Sequence, residues 1–232
     1  MNVRMIRPTQ AERRARTRAA LLEAAARGLS RHGYGNLVLE DVAREAGYTR
    51  GALYHQFAGK EDLVRATLDW VDATWRDEVG ALVDEQTEPV AALLALARGH
   101  AVFCRRDVAR VAIALRLEFG ARDHPLGREV DRISDTLVRR CARLITAGRR
   151  DGTIPPGTPA RVVALAFVGA LEGAVIALAG QAPHDELLAE HAGAGVLGVP
   201  SETTSATPRA PTVSSSRSRP RSRPHSPRRS AT

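Results

Sequence analysis

The interval between Leu39 and Phe57 constrains this chain more than any other stretch. Two short helical patterns, Leu39 to Ala46 and Arg50 to Phe57, flank Gly47, whose missing side chain suits a left-handed turn residue. An interval that tight admits only a helix-turn-helix. The inward positions are legible: Val42 and Ala43 on the first helix, with Ala43 small enough to let the second cross closely, and Leu53 and Phe57, four residues apart, on the second. Thr49, Arg50, Gly51, Ala52, Tyr54, His55 and Gln56 are left to face outward.

Helical periodicity dominates the rest of the chain, and no stretch alternates several β-branched or aromatic residues at period two, so the class is all-α with about nine helices. A first helix spans about Gln10 to His32, with Leu22, Ala25, Ala26 and Leu29 on one face and Gly33 as its stop. A long helix begins near Lys60, with Glu61 and Asp62 against the positive end of its dipole and Val64, Leu68, Val71, Trp75, Val79 and Leu82 as its inward stripe. Pro89 opens a helix carrying Val90, Leu93, Leu94, Ala97, Ala101 and Cys104 on one face, and Val108, Val111, Ala112, Leu115 and Phe119 mark another. Pro125 starts a helix that ends around Gly152. Thr158 and Pro159 start one over 159–180 that is apolar almost all round, and a short one follows from about Pro183 to Leu197. The organisation expected is a flexible start over 1–9, a helix-turn-helix domain over 10–58, a helical domain over 59–198 and a disordered Ser/Pro/Arg-rich tail over 199–232.

Charge helps only once it is located. The net charge is +8, yet residues 199–232 hold seven Arg against Glu202, so most of the excess lies outside the expected fold. Within the fold the basic part is the front, where Met1 to Arg31 holds eight Arg against two acids. Those cations oppose the dipole of the first helix, and an anionic partner explains them better than solvent does. No run reads as long and charge-free enough to span a bilayer, Arg13, Arg14, Arg16 and Arg18 occupy the place of a signal peptide's apolar block, and the expected location is the cytoplasm with no membrane partner. Cys104 and Cys141 are expected as buried thiols.

The segment NLVLEDVAREAGYTRGALYHQFAGKEDLV (36–64) resembles the DNA-binding domain of the TetR family of bacterial repressors. The resemblance is strong over about residues 13–70 and agrees in helix count and length to about 198. It implies that Thr49, Arg50, Gly51 and Ala52 lie nearest base edges, with Arg50 able to pair bidentately with guanine. Tyr54, His55 and Lys60, with Arg16 and Arg18 on the first helix, are implied phosphate contacts. One departure matters: family members carry Ser or Thr at the N-cap of the first short helix, where this chain has Val38, which can neither cap nor reach a phosphate.

The resemblance also implies a homodimer on a palindromic double-stranded operator, most simply a repressor released by a small-molecule inducer, with no other cofactor. The dimer face is expected on helix 159–180, where Ala166, Ala170 and Ala174 form one row and Gly169, Gly173 and Ala177 the next. Glu172, alone in that surface, stands either to bond across the interface or to reach its rim. The inducer pocket is expected among Trp70, Trp75, His100, Phe103, Arg116 and Phe119. No metal-ligand spacing, phosphate loop or nucleophile signature is found, which disfavours an enzyme. A non-specific nucleic-acid binder relying on the basic tail is the competing class.

Overall fold

The computed structural model describes residues 9–120, 123–178 and 180–201, so the expectations for 1–8 and for the tail from 202 lie outside the described residues. Nine helices and no strand occur among those described. The first, α1 (Gln10–His32), starts at a capping box: Thr9 Oγ1 accepts from the Glu12 N–H at 3.2 Å, and the Glu12 carboxylate accepts from the Thr9 N–H at 2.6 Å. It ends at Gly33, with φ of 72°. Next come α2 (Leu39–Glu45) and α3 (Arg50–Tyr54). Gly47 takes the left-handed φ of 75°, and the Tyr48 N–H closes the turn onto Ala43 O at 2.9 Å. The second short helix stops three residues before Phe57, because the Gln56 N–H tightens onto Leu53 O at 2.9 Å. Leu53 and Phe57 still point inward together, at 0% and 2% exposed.

The fourth helix, α4, runs over Lys60–Trp75 and continues through a π-helical turn, Arg76–Gly80, into Ala81–Asp84. That wider turn shifts the inward face by part of a turn. Val79 and Val83 are buried, and Leu82, expected inside, is 43% exposed. Then follow α5 (Pro89–Phe103), a 3-10 turn (Asp107–Arg110) leading into α6 (Val111–Phe119), α7 (Pro125–Arg150), α8 (Ala160–Leu178) and α9 (His184–Leu197).

Two apolar cores result. One joins α1 to α3 with the first half of α4 and with α6, through Leu21, Leu53, Phe57, Leu68 and Leu115. The other joins α5, α7, α8 and α9, through Leu96, Cys141, Ile145, Phe167 and Leu171. The helix-turn-helix therefore shares an apolar core with α4 and α6. A nearly buried carboxylate pins the second core: Asp185, at the start of α9, accepts from Arg105 Nε and Nη2 at 2.9 and 2.8 Å, and Arg105 also bonds Glu186. The Arg105 hydrogen bond holds the Asp185 carboxyl below the usual carboxylate range. By length and composition α8 does reach what a bilayer span needs, contrary to the sequence expectation. Its packing against α7 and α9 puts one side of it inside the bundle.

Gly193 shows how closely α8 and α9 approach. A Cβ there would lie 2.8 Å from Phe167 Cε2, inside van der Waals contact. Gly193→Ala should cost about 1–3 kcal/mol by overpacking, read by urea unfolding, and Phe167→Leu in that background should recover part of it. Wild-type stability in Gly193→Ala would show that the ring has room to give.

Candidate nucleic-acid interface and internal cavity

Thr49 caps α3 from an extended conformation, its Oγ1 accepting from the Ala52 N–H at 3.2 Å. With Leu53 and Phe57 anchored below, Thr49, Arg50, Gly51, Tyr54 and His55 are exposed, and Ala52 is half-buried. Arg50 folds back over its own domain: Nη1 is 2.8 Å from Glu40 on α2, and the guanidinium lies 5.3 Å from the Tyr54 ring centroid. Glu40 carries no signal for this in the sequence, since only the turn brings the two residues together.

The expected phosphate contacts divide. Lys60 Nζ donates to Gly35 O at 3.2 Å and sits 4.6 Å from the Tyr34 ring centroid. Arg18 Nη1 donates to Gln56 O at 3.4 Å, with its guanidinium 4.6 Å over Phe57, so it belongs to the seam between α1 and α3. Arg16 is exposed and bonds nothing among the described residues. Val38 is the N-cap of α2, extended at φ −105°, ψ 122°, with no side-chain cap bond. The start of α4 is covered instead by Asp62, whose Oδ2 accepts from the Ala58 N–H at 3.0 Å.

A cavity of about 320 Å³ lies among α4 to α8. Of the six residues expected at an inducer pocket, Trp75, His100, Phe103 and Arg116 line this cavity, and Trp70 and Phe119 do not. Trp70 is on the far side of α4 from Leu68, Val71 and Trp75, at about 100° per residue. Phe119 lies a turn beyond the cavity, stacked on His124 at 4.1 Å and edge-on to Tyr34 at 5.3 Å. Within the cavity wall Trp75 Nε1 donates to His100 Nδ1 at 3.1 Å, leaving the ring proton on Nε2. Burial pushes His100 down to about 4 and the Cys104 and Cys141 thiols up to about 12, so the thiols stay protonated and unreactive. Glu172 is on this wall too, its two oxygens accepting from Arg116 Nη1 at 3.0 and 3.2 Å.

The small-residue face of α8 is only partly free. Ala166, Gly169, Gly173 and Ala177 are exposed and Ala170 is half-buried, while Ala174 is 4% exposed in the intrachain core. Positions four apart advance about 40° around a helix, so the Ala166, Ala170, Ala174 row crosses from the open side to the buried one. Val162, Leu165 and Ile176, at 50%, 51% and 69% exposed, enlarge the open face, and the small-residue pattern did not reveal them. A Cβ at Gly169 or Gly173 would meet nothing within 4 Å.

Two outcomes follow from this geometry. Val38→Thr should supply the missing cap and raise stability by about 1 kcal/mol in urea unfolding. No gain would mean that the backbone at 38 is not set for capping. For His100, the unfolded ring titrates near 6.5 and the folded one near 4, so the unfolded state binds more protons between them. Stability should fall as pH drops through that window, and His100→Asn should flatten the fall. An unchanged slope would assign the loss to other groups.

Residues 21–67 match the family model of bacterial regulatory proteins, tetR family. The HTH-type transcriptional regulator TtgR of Pseudomonas putida is 43% identical over 70 residues, which cover 30% of this chain and 33% of that protein. The match thus spans a third of the length of that relative. Among solved structures, SCO4454, a TetR-family transcriptional regulator from Streptomyces coelicolor, superposes with a TM-score of 0.66 at 24% identity, covering 79% of this chain and 95% of that one. AibR, solved in complex with isovaleryl coenzyme A and operator DNA, superposes with a TM-score of 0.67 at 21% identity over 78% of this chain and 98% of its own. These structures share the all-helical fold. The helix-turn-helix is thus similar in sequence to the tetR family model over residues 21–67, and the surrounding helices are similar to these structures in fold.

Proposed function

We propose that this protein is a sequence-selective transcriptional regulator, a cytoplasmic homodimer that sits on a palindromic operator and leaves it when a small molecule fills the cavity. One observation carries the reading: α3 is held by two fully buried apolar anchors while Thr49, Arg50, Gly51, Tyr54 and His55 stand out from the surface. That is the presentation a major-groove helix needs. The dimer would form through the open apolar face of α8, from Val162 to Ala177, which has no partner within the described chain. Repression is the simplest outcome for such a switch, and the role is binding rather than catalysis.

The route from cavity to DNA would run along α6. Ala112, Ile113 and Arg116 face the cavity, and Glu118, half a turn on, accepts from the Tyr34 and Gly35 N–H groups at 2.7 and 2.8 Å. Those residues form the turn that leads from α1 into α2. A ligand that moves α6 would therefore move the helix-turn-helix, provided that it binds the two arrangements unequally.

The test starts with an operator selected from random DNA. Arg50→Ala should relax base preference at one position of each half-site, costing about 1–3 kcal/mol there. Lys60→Ala should weaken binding evenly across sequences and lower the salt slope by about 0.9. If both variants bind the operator as the wild type does, α3 is not the reading helix. Removal of residues 202–232 separates the competing reading: selective binding that survives it makes the tail accessory, and binding that vanishes with it makes the tail the binder.

A further inference from the structure

The polar groups around the cavity are matched unequally, and the imbalance has a sign. Its carboxylates, Asp72 and Glu172, are both engaged, Asp72 with Arg76 at 3.2 Å and Glu172 with Arg116 at 3.0 Å. The donors are not used up. Arg116 spends only Nη1 on Glu172, and its buried Nε has no partner. Nη2 makes no bond among the described residues either, so the Nε and Nη2 edge has no bonded partner there. This is the edge with which Arg105 grips Asp185 elsewhere in the chain. Arg143, exposed where the lining meets solvent, is a second guanidinium with no bonded partner among the described residues.

Most of the remaining wall is apolar, with Leu68, Val71, Phe103, Ile113, Ile133 and Val168 among its residues; Ser134, Thr136 and two paired arginines, Arg76 with Asp72 and Arg140 with Asp84, complete it. His100 adds no charge, since burial keeps it neutral and its Nδ1 already accepts from Trp75. A buried donor left without a partner is costly, and a planar carboxylate meets a guanidinium edge with two parallel bonds.

We infer that the cavity takes an amphipathic organic anion, its apolar body among α4, α5, α7 and α8 and its carboxylate on the free Nε and Nη2 edge of Arg116. This rests on the regulator reading only for its biological sense, since binding can be measured with no DNA present. A cationic ligand would have to displace an arginine from a carboxylate, and a neutral one would offer the Arg116 edge only an uncharged acceptor, the weaker bond. Occupancy would also set the ligand's charge beside Glu172, loosening the bond that ties α6 to α8.

Trp75 lines the cavity and Trp70 does not, so a full-length Trp70→Phe protein reports occupancy through Trp75 fluorescence. Decanoate, decan-1-ol and decyltrimethylammonium share a chain and differ in head group. Decanoate should bind at least about tenfold more tightly than either of the others, the worth of a charge-assisted hydrogen bond. Arg116→Met should erase that preference while decan-1-ol still binds, and Glu172→Gln, which removes the competing carboxylate, should tighten decanoate. Equal or tighter binding of the alcohol or the cation, no binding of any of the three, or a decanoate preference that survives Arg116→Met would overturn the assignment. If Arg116→Met does not fold, Glu172→Gln decides: weaker or unchanged decanoate binding counts against it. DNA selection run in parallel separates the two readings. Loss of operator binding sinks the regulator alone, and operator binding with no anion preference sinks the ligand class alone.

Discussion

Glu118 stands at the end of α6 and spends both carboxylate oxygens on the backbone of a different part of the chain, accepting from the N–H groups of Tyr34 and Gly35 at 2.7 and 2.8 Å. The turn that it grips carries α1 into the helix-turn-helix. A Cβ on Gly33 would come within 3.0 Å of one oxygen and a Cβ on Gly35 within 3.3 Å of the other, so the bare backbone is what lets the carboxylate approach. Lys60 bonds Gly35 O from the far side, and Arg31 reaches Asp107, just ahead of α6, at 2.7 Å. Hydrogen bonds to a charged group are worth about 1.5–3 kcal/mol each. These bonds tie the turn ahead of α2 to the end of α6, alongside the apolar core that Leu53 and Phe57 share with α4 and α6.

The same short helix carries Arg116 and Glu118, one facing the cavity and one facing the turn. On the reading proposed here, α6 is the element with two arrangements, held in one of them by Arg116 on Glu172 and Glu118 on the turn. A carboxylate ligand competes for the first of these bonds and leaves the second to follow. The shared apolar core of α1, α4 and α6 makes such a shift a movement of packed helices rather than of a separate domain on a tether.

Much of this was legible in the sequence because it rests on short-range patterns. Gly47, Leu53, Phe57 and the prolines at 89 and 125 each act within a few residues, and each lies where its chemistry puts it. The π-helical turn at Arg76–Gly80 was not legible, and it moved Leu82 from inside to outside. Bonds across the fold were equally silent. Glu118 with the 33–36 turn, Arg116 with Glu172, Arg50 with Glu40 and Arg105 with Asp185 join residues from 10 to 84 positions apart. A small-residue row marked α8 as a contact helix but could not say where its faces part, so Ala174 was placed outside and Ile176 was missed.

Amide hydrogen exchange at Tyr34 and Gly35 tests the link between cavity and helix-turn-helix most directly. Arg116→Met breaks the bond on the cavity side of α6 without touching the turn. If α6 couples the two, exchange at Tyr34 and Gly35 rises in that variant while the Leu53 and Phe57 amides, held inside the helix-turn-helix, keep their wild-type rates. Unchanged exchange at Tyr34 and Gly35 would contradict the coupling and leave the cavity and α3 as independent features of one fold.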